Sequence, residues 1–418
     1  MSTAEDAHTL GRVTIADLTE EDLLAAFAPL LPPSRNELVG TGDDCAVLVA
    51  PDSRYCVSTD ILVQGRHFST DWSSAWEIGA RAAAQNLADV AAMGARPVAI
   101  VVGLVLPATT TLAWVKDLTR GMAEICAQNG AGIVGGDLSA GENLVIAVTV
   151  HGDLEGRSPV LRSGARAGDL LIHAGTLGRS AAGLALLSNG IDDPDRVGAR
   201  EGSSSWEGFD EVMRAAVRES LSVFRAPVPP LKAGPALAEA GATAMMDVSD
   251  GLLRDAGRMA AASEVRIDLE DPASSRSGAG EDLAVLEPVA GLMEDSRIAA
   301  RALARRWVLT GGEDHGMLAA FPTEKATGLP MGCRVIGRVL EPNEGPRVTV
   351  GGRAPDTSDT GQGWDHFRGR RREGRPRAVS PLGSPWGSDG PISLPERTDA
   401  GTQWARSATD PEREHIGS

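Results

Sequence analysis

The stretch Ala84-Gln85-Asn86-Leu87-Ala88-Asp89-Val90-Ala91-Ala92-Met93-Gly94-Ala95-Arg96-Pro97 limits what this chain can fold into more than any other. Leu87, Val90 and Met93 recur at helical spacing among small alanines, so the segment reads as the end of a buried helix built for close packing. Its one acid is Asp89. A lone carboxylate in such surroundings is costly or takes up a proton, so an ionised Asp89 calls for a cation. Gly94 permits a left-handed C-cap, and Pro97 keeps the helix from resuming before the apolar run 98–106. Alone, the stretch also suits a helix whose Asp merely caps or faces water.

Which cation is a question for the composition. The 418 residues carry a net charge of −17, which argues against a nucleic-acid surface. Lysine occurs only at Lys116, Lys232 and Lys325, so a phosphate site here leans on arginine, backbone amides or metal ions. Cys45, Cys56, Cys126 and Cys333 form no C-x-x-C pair, which argues against a zinc site and for reduced thiols. The first residues are acidic without an apolar core, and the run 98–106 is too short to span a bilayer, so the expectation is a cytoplasmic protein with no membrane association.

Along the chain, a short helix over 21–31 ends at Pro32-Pro33, and strands follow over 45–50 and 55–61, the second closing in Ser58-Thr59-Asp60. After the Asp89 helix come a strand over 98–106, a helix over 111–128, a turn at Gly135-Gly136-Asp137 and an alternating strand over 143–151. From Gly156 the pattern restarts as a second α/β unit, with strands over 169–173, 244–246 and 317–321 and helices between them. The segment 192–208 reads as an exposed loop, 272–281 as another, and 307–309 as a short ordered element. Domains of 1–155 and 156–367 are expected. Residues 368–418 lack aliphatic clusters and read as a disordered tail with a basic, solvated start.

Asp43, Asp44, Asp60, Asp137, Asp247, Asp250 and Glu313 fall in glycine-flanked or strand-ending positions, and Asp89 lies near its helix end. Magnesium takes hard oxygen ligands, keeps several waters and is held by one or two carboxylates plus substrate phosphates, so acids from several loops could hold several ions. Each acid alone is equally an ordinary turn residue. Familiar phosphate devices are absent. Gly40-Thr41-Gly42 begins like G-x-G-x-x-G, but Asp43-Asp44 stand where amides should face a pyrophosphate, and no P-loop or protein-kinase element occurs.

Taken in order, Gly40-Thr41-Gly42-Asp43-Asp44, Ser58-Thr59-Asp60 with His67, the Asn86 to Ala95 run, Gly135-Gly136-Asp137, Arg162-Ser163-Gly164-Ala165, Asp247-Val248-Ser249-Asp250-Gly251-Leu252 and Gly311-Gly312-Glu313-Asp314 resemble the thiamine-monophosphate kinase family over about Val13 to Phe367. The resemblance implies an α/β (α+β), two-domain fold like that of aminoimidazole ribonucleotide synthetase, with the N-terminal domains of a homodimer pairing through their sheets. It implies transfer of the ATP γ-phosphoryl group to thiamine phosphate with several Mg2+ ions. Carried over by position, Asp43, Ser58, Thr59, Asp60, Asp89, Asp137, Asp247 and Asp250 would bind Mg2+. Gly136, Asp137, Arg162 and Ser249 would meet ATP, and His67, Glu313 and Trp364 would meet thiamine phosphate. No catalytic base is implied, because an acceptor phosphate oxygen is already ionised. One departure stands out: His315-Gly316 replaces the Tyr-Glu of many relatives. The alternatives are another ATP-using enzyme of this fold, such as aminoimidazole ribonucleotide synthetase, and a non-catalytic metal- or nucleotide-binding protein. The cysteines that selenophosphate synthetase or a hydrogenase-maturation dehydratase would need do not occur.

Overall fold

The computed structural model describes residues 13–41, 45–195, 206 and 208–355. Asp43, Asp44, Trp364, most of the segment 196–207 and the expected tail 368–418 lie outside them.

In chain order, α1 (Glu20–Phe27) precedes the short antiparallel pair β1 (Glu37–Val39) and β2 (Val47–Leu48). Next come β3 (Cys56–Val63), α2 (Ala75–Ala91), β4 (Arg96–Leu106), α3 (Leu112–Gln128), β5 (Gly132–Ala140) and β6 (Val145–Asp153). Strands β3, β6, β4 and β5, in that spatial order, form a four-stranded sheet in which only β4 and β5 run parallel. The rest of the chain supplies β7 (Leu170–Ala174), α4 (Arg179–Ser188), α5 (Glu211–Arg225), α6 (Ala233–Ala240), β8 (Ala244–Val248), α7 (Leu252–Ala262), β9 (Arg266–Leu269), α8 (Gly280–Ala290), α9 (Arg297–Thr310), β10 (Gly316–Phe321), β11 (Cys333–Leu340) and β12 (Val348–Val350). These strands make a six-stranded sheet in the order β12-β9-β11-β7-β10-β8.

Helix α2 is the expected buried helix, and it begins where its sequence says it should. Ser74 caps it, its hydroxyl accepting from the Glu77 amide while Glu77 Oε2 accepts from the Ser74 amide at 2.7 Å. Glycine lets it pack closely against α3: a Cβ at Gly79 would run into the Leu118 carbonyl, and one at Gly121 into that of Trp76. A single core runs from Leu62, Ile100, Ile146 and Val148 of the four-stranded sheet, through Ile78 and Leu87 of α2, to Met245, Met317 and Phe321 on one face of the six-stranded sheet. Ile78 and Leu87 are fully buried, and each contributes about 1.5–3 kcal/mol of hydrophobic stabilisation. The other face of that sheet, with Met246, Val248 and Leu318, packs on α4, α7 and α9 through Leu186, Met259 and Val308. Thus α2 lies in the core that both sheets share.

Several expectations need correction. Gly135-Gly136-Asp137 is no turn but the middle of β5, because Gly136 lies so close to the Val102 carbonyl of β4 that no Cβ fits. Asp60 does not end its strand: β3 stays paired with β6 from Cys56 to Val63. Residues 307–309 are the last turns of α9, and α8 and β9 lie in stretches where no element was expected. Asp192 opens the supposed exposed loop yet is buried, because its carboxylate pairs with the equally buried Arg225. Among the described residues no helix is long and apolar enough to cross a membrane.

Candidate active site

Strand alternation decides which side chains of β3 meet α2. Leu62 belongs to the core, so Ser58 and Asp60, four and two residues before it, point to the same side. Asp89 comes to them from α2: Ser58 Oγ donates to Asp89 Oδ2 at 2.7 Å, and Gln85 Nε2 donates to Asp60 Oδ2 at 3.0 Å. The same period places Asp247 on the Met245 side of β8, toward the shared core. Asp60, Asp89 and Asp247 therefore face one gap between the sheets.

The electrostatics record that convergence. Burial, then the negative charges of Asp247 and Asp60, push the Asp89 carboxyl up to about 7 against the weaker pull of the Ser58 hydrogen bond. In His315 the same negative surroundings favour the charged form. Burial alone would lower its pKa, but the Asp247 carboxylate, 3.2 Å from Nδ1, and the Glu313 charge outweigh it and raise the imidazole to about 8. Among the described residues no three acidic or imidazole groups stand close enough to hold one ion by themselves. The donor set is nonetheless hard oxygen with an unbalanced negative charge, which fits Mg2+ shared with phosphate oxygens and water.

Beside this gap lies a cavity of about 520 Å³. Phe68, Trp72 and Phe224 form its apolar wall, with Trp72 and Phe224 edge to face at 6.1 Å between ring centroids. His67, Arg81 and Glu313 form its polar wall. His67 Nδ1 accepts from the Val63 amide at 3.0 Å, so the neutral ring carries its proton on Nε2. Arg81 is buried. It donates to the Phe224 carbonyl at 2.7 Å, lies 5.4 Å from the Phe224 ring centroid and forms an ion pair with Glu313. Burial works to raise the Glu313 carboxyl, but the Arg81 charge, with His315 and His67 adding to it, holds it below the usual range.

The other expected site residues are placed less simply. Thr59 points away from Asp60, its hydroxyl donating to the Val148 carbonyl at 3.0 Å. Gly136 and Asp137 are exposed on the edge strand β5. Arg162 is exposed, and its carbonyl accepts from Ser263 Oγ at 3.0 Å. The Ser249 carbonyl accepts from the Glu313 amide at 2.8 Å. Asp250 is paired with Arg258 Nη2 at 2.6 Å, and Arg258 also reaches Asp255 at 2.7 Å. Asp43 and Trp364 lie outside the described residues. Sequence reasoning missed Phe68, Trp72, Arg81 and Phe224, and it left His315 without a role. One signal was available, since Glu77, Arg81, Gln85 and Asp89 recur every four residues as a polar stripe on a mainly apolar helix.

The family model of the AIR synthase related protein N-terminal domain matches residues 42–154, and that of the corresponding C-terminal domain matches residues 166–344. A thiamine-monophosphate kinase of Mycobacterium tuberculosis is 43% identical over 347 residues, 83% of this chain and 89% of its own length. The chain belongs to the thiamine-monophosphate kinase family. Among solved structures of this family, the enzyme of Stenotrophomonas maltophilia K279a superposes with a TM-score of 0.60 at 28% identity, covering 77% of this chain and 93% of that one. AaThiL complexed with AMPPCP and TMP gives a TM-score of 0.60 at 26% identity, covering 78% and 91%. Hydrogenase maturation protein HypE, at 19% identity and a TM-score of 0.55 over 80% of this chain and 93% of its own, shares the fold alone.

Proposed function

We propose that the chain catalyses ATP-dependent phosphorylation of thiamine phosphate to thiamine diphosphate. The carrying observation is the juxtaposition of a three-carboxylate gap with an aromatic-walled cavity, in a chain that aligns with 89% of a kinase of this specificity. Thiamine phosphate needs both parts: a site for a cationic thiazolium and an aminopyrimidine, and a neighbouring place where two sets of phosphates meet. The cavity's aromatic faces suit the former through cation–π attraction, and the Glu313 carboxylate can accept from the aminopyrimidine or balance the thiazolium charge.

Asp60, Asp89 and Asp247, with Ser58 beside them, are the residues we assign to Mg2+, and Asp43, Asp137, Asp250 and Thr59 are retained as further candidates from the family pattern. Bound Mg2+ would offset the charge of the phosphates. The chain's own residues do the rest. Arg81 fixes Glu313, His67 lines the cavity with its Nδ1 held by the Val63 amide, and α2 carries Arg81 and Asp89 on one rigid body, so the organic and phosphate ends of the substrate are held at a set distance. No general base is required, since the acceptor is an ionised phosphate oxygen. We assign ATP to Gly136, Asp137, Arg162 and Ser249, and thiamine phosphate to His67, Glu313 and Trp364 together with the cavity wall.

We also assign two domains, 1–155 and 156–367, and a homodimer formed through the outward face of the four-stranded sheet, where Val57 and Ile61 are 60% and 56% exposed. The four cysteines stand free, which supports a reducing, cytoplasmic setting. Incubation with ATP, Mg2+ and either thiamine phosphate or unphosphorylated thiamine tests the assignment. Thiamine diphosphate and ADP should appear together with the former only. ATP turnover indifferent to both would favour another enzyme of the same fold.

A further inference from the structure

His315 has no role in the site as assigned so far, and its surroundings give it a task. It is 4% exposed, and its backbone sits at φ 54°, as Glu313 sits at φ 68°, both in the left-handed region that non-glycine residues avoid. The intervening Asp314 turns the other way, its Oδ1 accepting from the Ser180 amide at 3.0 Å and so anchoring the loop to the start of α4. The backbone is held on the near side as well: the Glu313 and His315 amides donate to the Ser249 and Val248 carbonyls at 2.8 and 3.2 Å. The result is that Glu313 and His315 face the same gap. His315 Nδ1 lies 3.2 Å from Asp247 Oδ2, and its Nε2 lies 4.0 Å from Glu313 Oε2 with no hydrogen-bond partner of its own although buried.

We propose that His315 is a positioning residue that ties Asp247, on the phosphate side of the gap, to Glu313, on the cavity side. Its Nδ1–H orients the Asp247 carboxylate. Its Nε2 edge lies 4.0 Å from Glu313 Oε2, the same oxygen that pairs with Arg81, so that an imidazole stands beside the arginine at that carboxylate. His315 is not among the residues lining the cavity, so it acts through these two carboxylates rather than on substrate. This proposal rests on the thiamine phosphate reading of the site.

Two substitutions separate the two ends of the ring. His315→Asn places an amide donor near Nδ1 and tolerates the left-handed backbone, but it has nothing at the Nε2 position. His315→Gln reaches the Nε2 position and abandons Nδ1. With the full chain, steady-state kinetics in ATP and Mg2+ and titration calorimetry of thiamine phosphate without ATP should give opposite patterns. His315→Asn should raise KM and Kd for thiamine phosphate about fivefold or more, with a much smaller loss in kcat, the scale of one charge–charge approach at 4.0 Å. His315→Gln should lower kcat by a similar factor with the smaller change in KM. Parallel losses in both variants, or unchanged kinetics in both, would overturn the positioning role. Melting curves of both variants show whether a parallel loss is unfolding, and His315→Tyr, which keeps an aromatic ring but has no ring nitrogen, then supplies a third variant that should show both defects; normal values for it would equally overturn the role. Wild-type protein that forms no thiamine diphosphate would instead overturn the reading on which the proposal rests.

Discussion

Replacing Asp89 by Asn should make the metal-free protein more stable and the enzyme inactive. The sign follows from the direction of the pKa shift. The folded state binds the Asp89 proton more tightly than the unfolded chain, so the penalty for its charge is absent below about pH 3.8, grows through the interval to about 7, and is complete above it. That interval corresponds to on the order of 4 kcal/mol favouring the neutral form. Asn is neutral at every pH and can still accept from Ser58 Oγ, so at pH 8 in EDTA the Asp89→Asn protein should be more stable by roughly 2–4 kcal/mol. For a chain of this length that is a melting temperature about 2–5 °C higher. The advantage should shrink as the pH falls and approach zero only below about pH 3.8, where Asp89 is protonated in the folded and the unfolded chain alike. Added Mg2+ should raise the wild-type melting temperature more at pH 8 than at pH 5.5 and should raise that of the variant less, because the variant lacks the charge that the ion balances. Scanning calorimetry of both proteins across pH, with and without Mg2+, is the assay. An Asp89→Asn protein less stable than wild type in EDTA at pH 8 would refute the claim that Asp89 is a buried carboxylate awaiting a cation.

Arg81→Ala should leave Glu313 without its guanidinium partner, costing about 2–4 kcal/mol of stability and weakening thiamine phosphate more than ATP, read from melting curves and the two Michaelis constants. Gly121→Val should cost several kcal/mol by forcing α2 off α3, and turnover should fall with it because α2 carries Arg81 and Asp89; wild-type melting would show that the helices have room. Val57→Asp with Ile61→Asp should leave each protomer folded and halve the particle mass in sedimentation, while an unchanged mass would place the subunit contact elsewhere.

The helix around Asp89 was legible because its 3.6-residue period and its terminating Gly94 and Pro97 are local signals. The partners of Asp89 were legible only as a family pattern, since which face Asp60 or Asp247 takes depends on strand alignment. Thr59 illustrates the limit. Adjacent to Asp60 in sequence, it turns to the opposite face of the sheet, where its hydroxyl bonds Val148 and Thr149. Gly135-Gly136-Asp137 reads as a turn because glycine pairs usually mark one, whereas here glycine serves strands that approach too closely for a Cβ. The Arg81–Glu313 pair joins positions 232 residues apart, and the wall of Phe68, Trp72 and Phe224 is drawn from two regions of the chain remote from one another in the sequence. No local pattern encodes such contacts, which exist only once both sheets close on α2.

In this site the γ-phosphoryl group of ATP is expected to pass directly to thiamine phosphate. Incubating the protein with γ-labelled ATP, Mg2+ and thiamine phosphate and following the label tests it most directly. Label should enter the terminal phosphate of thiamine diphosphate in one-to-one ratio with ADP, and both should vanish in the Asp89→Asn protein. Label released as inorganic phosphate, with thiamine phosphate recovered unchanged, would contradict the account.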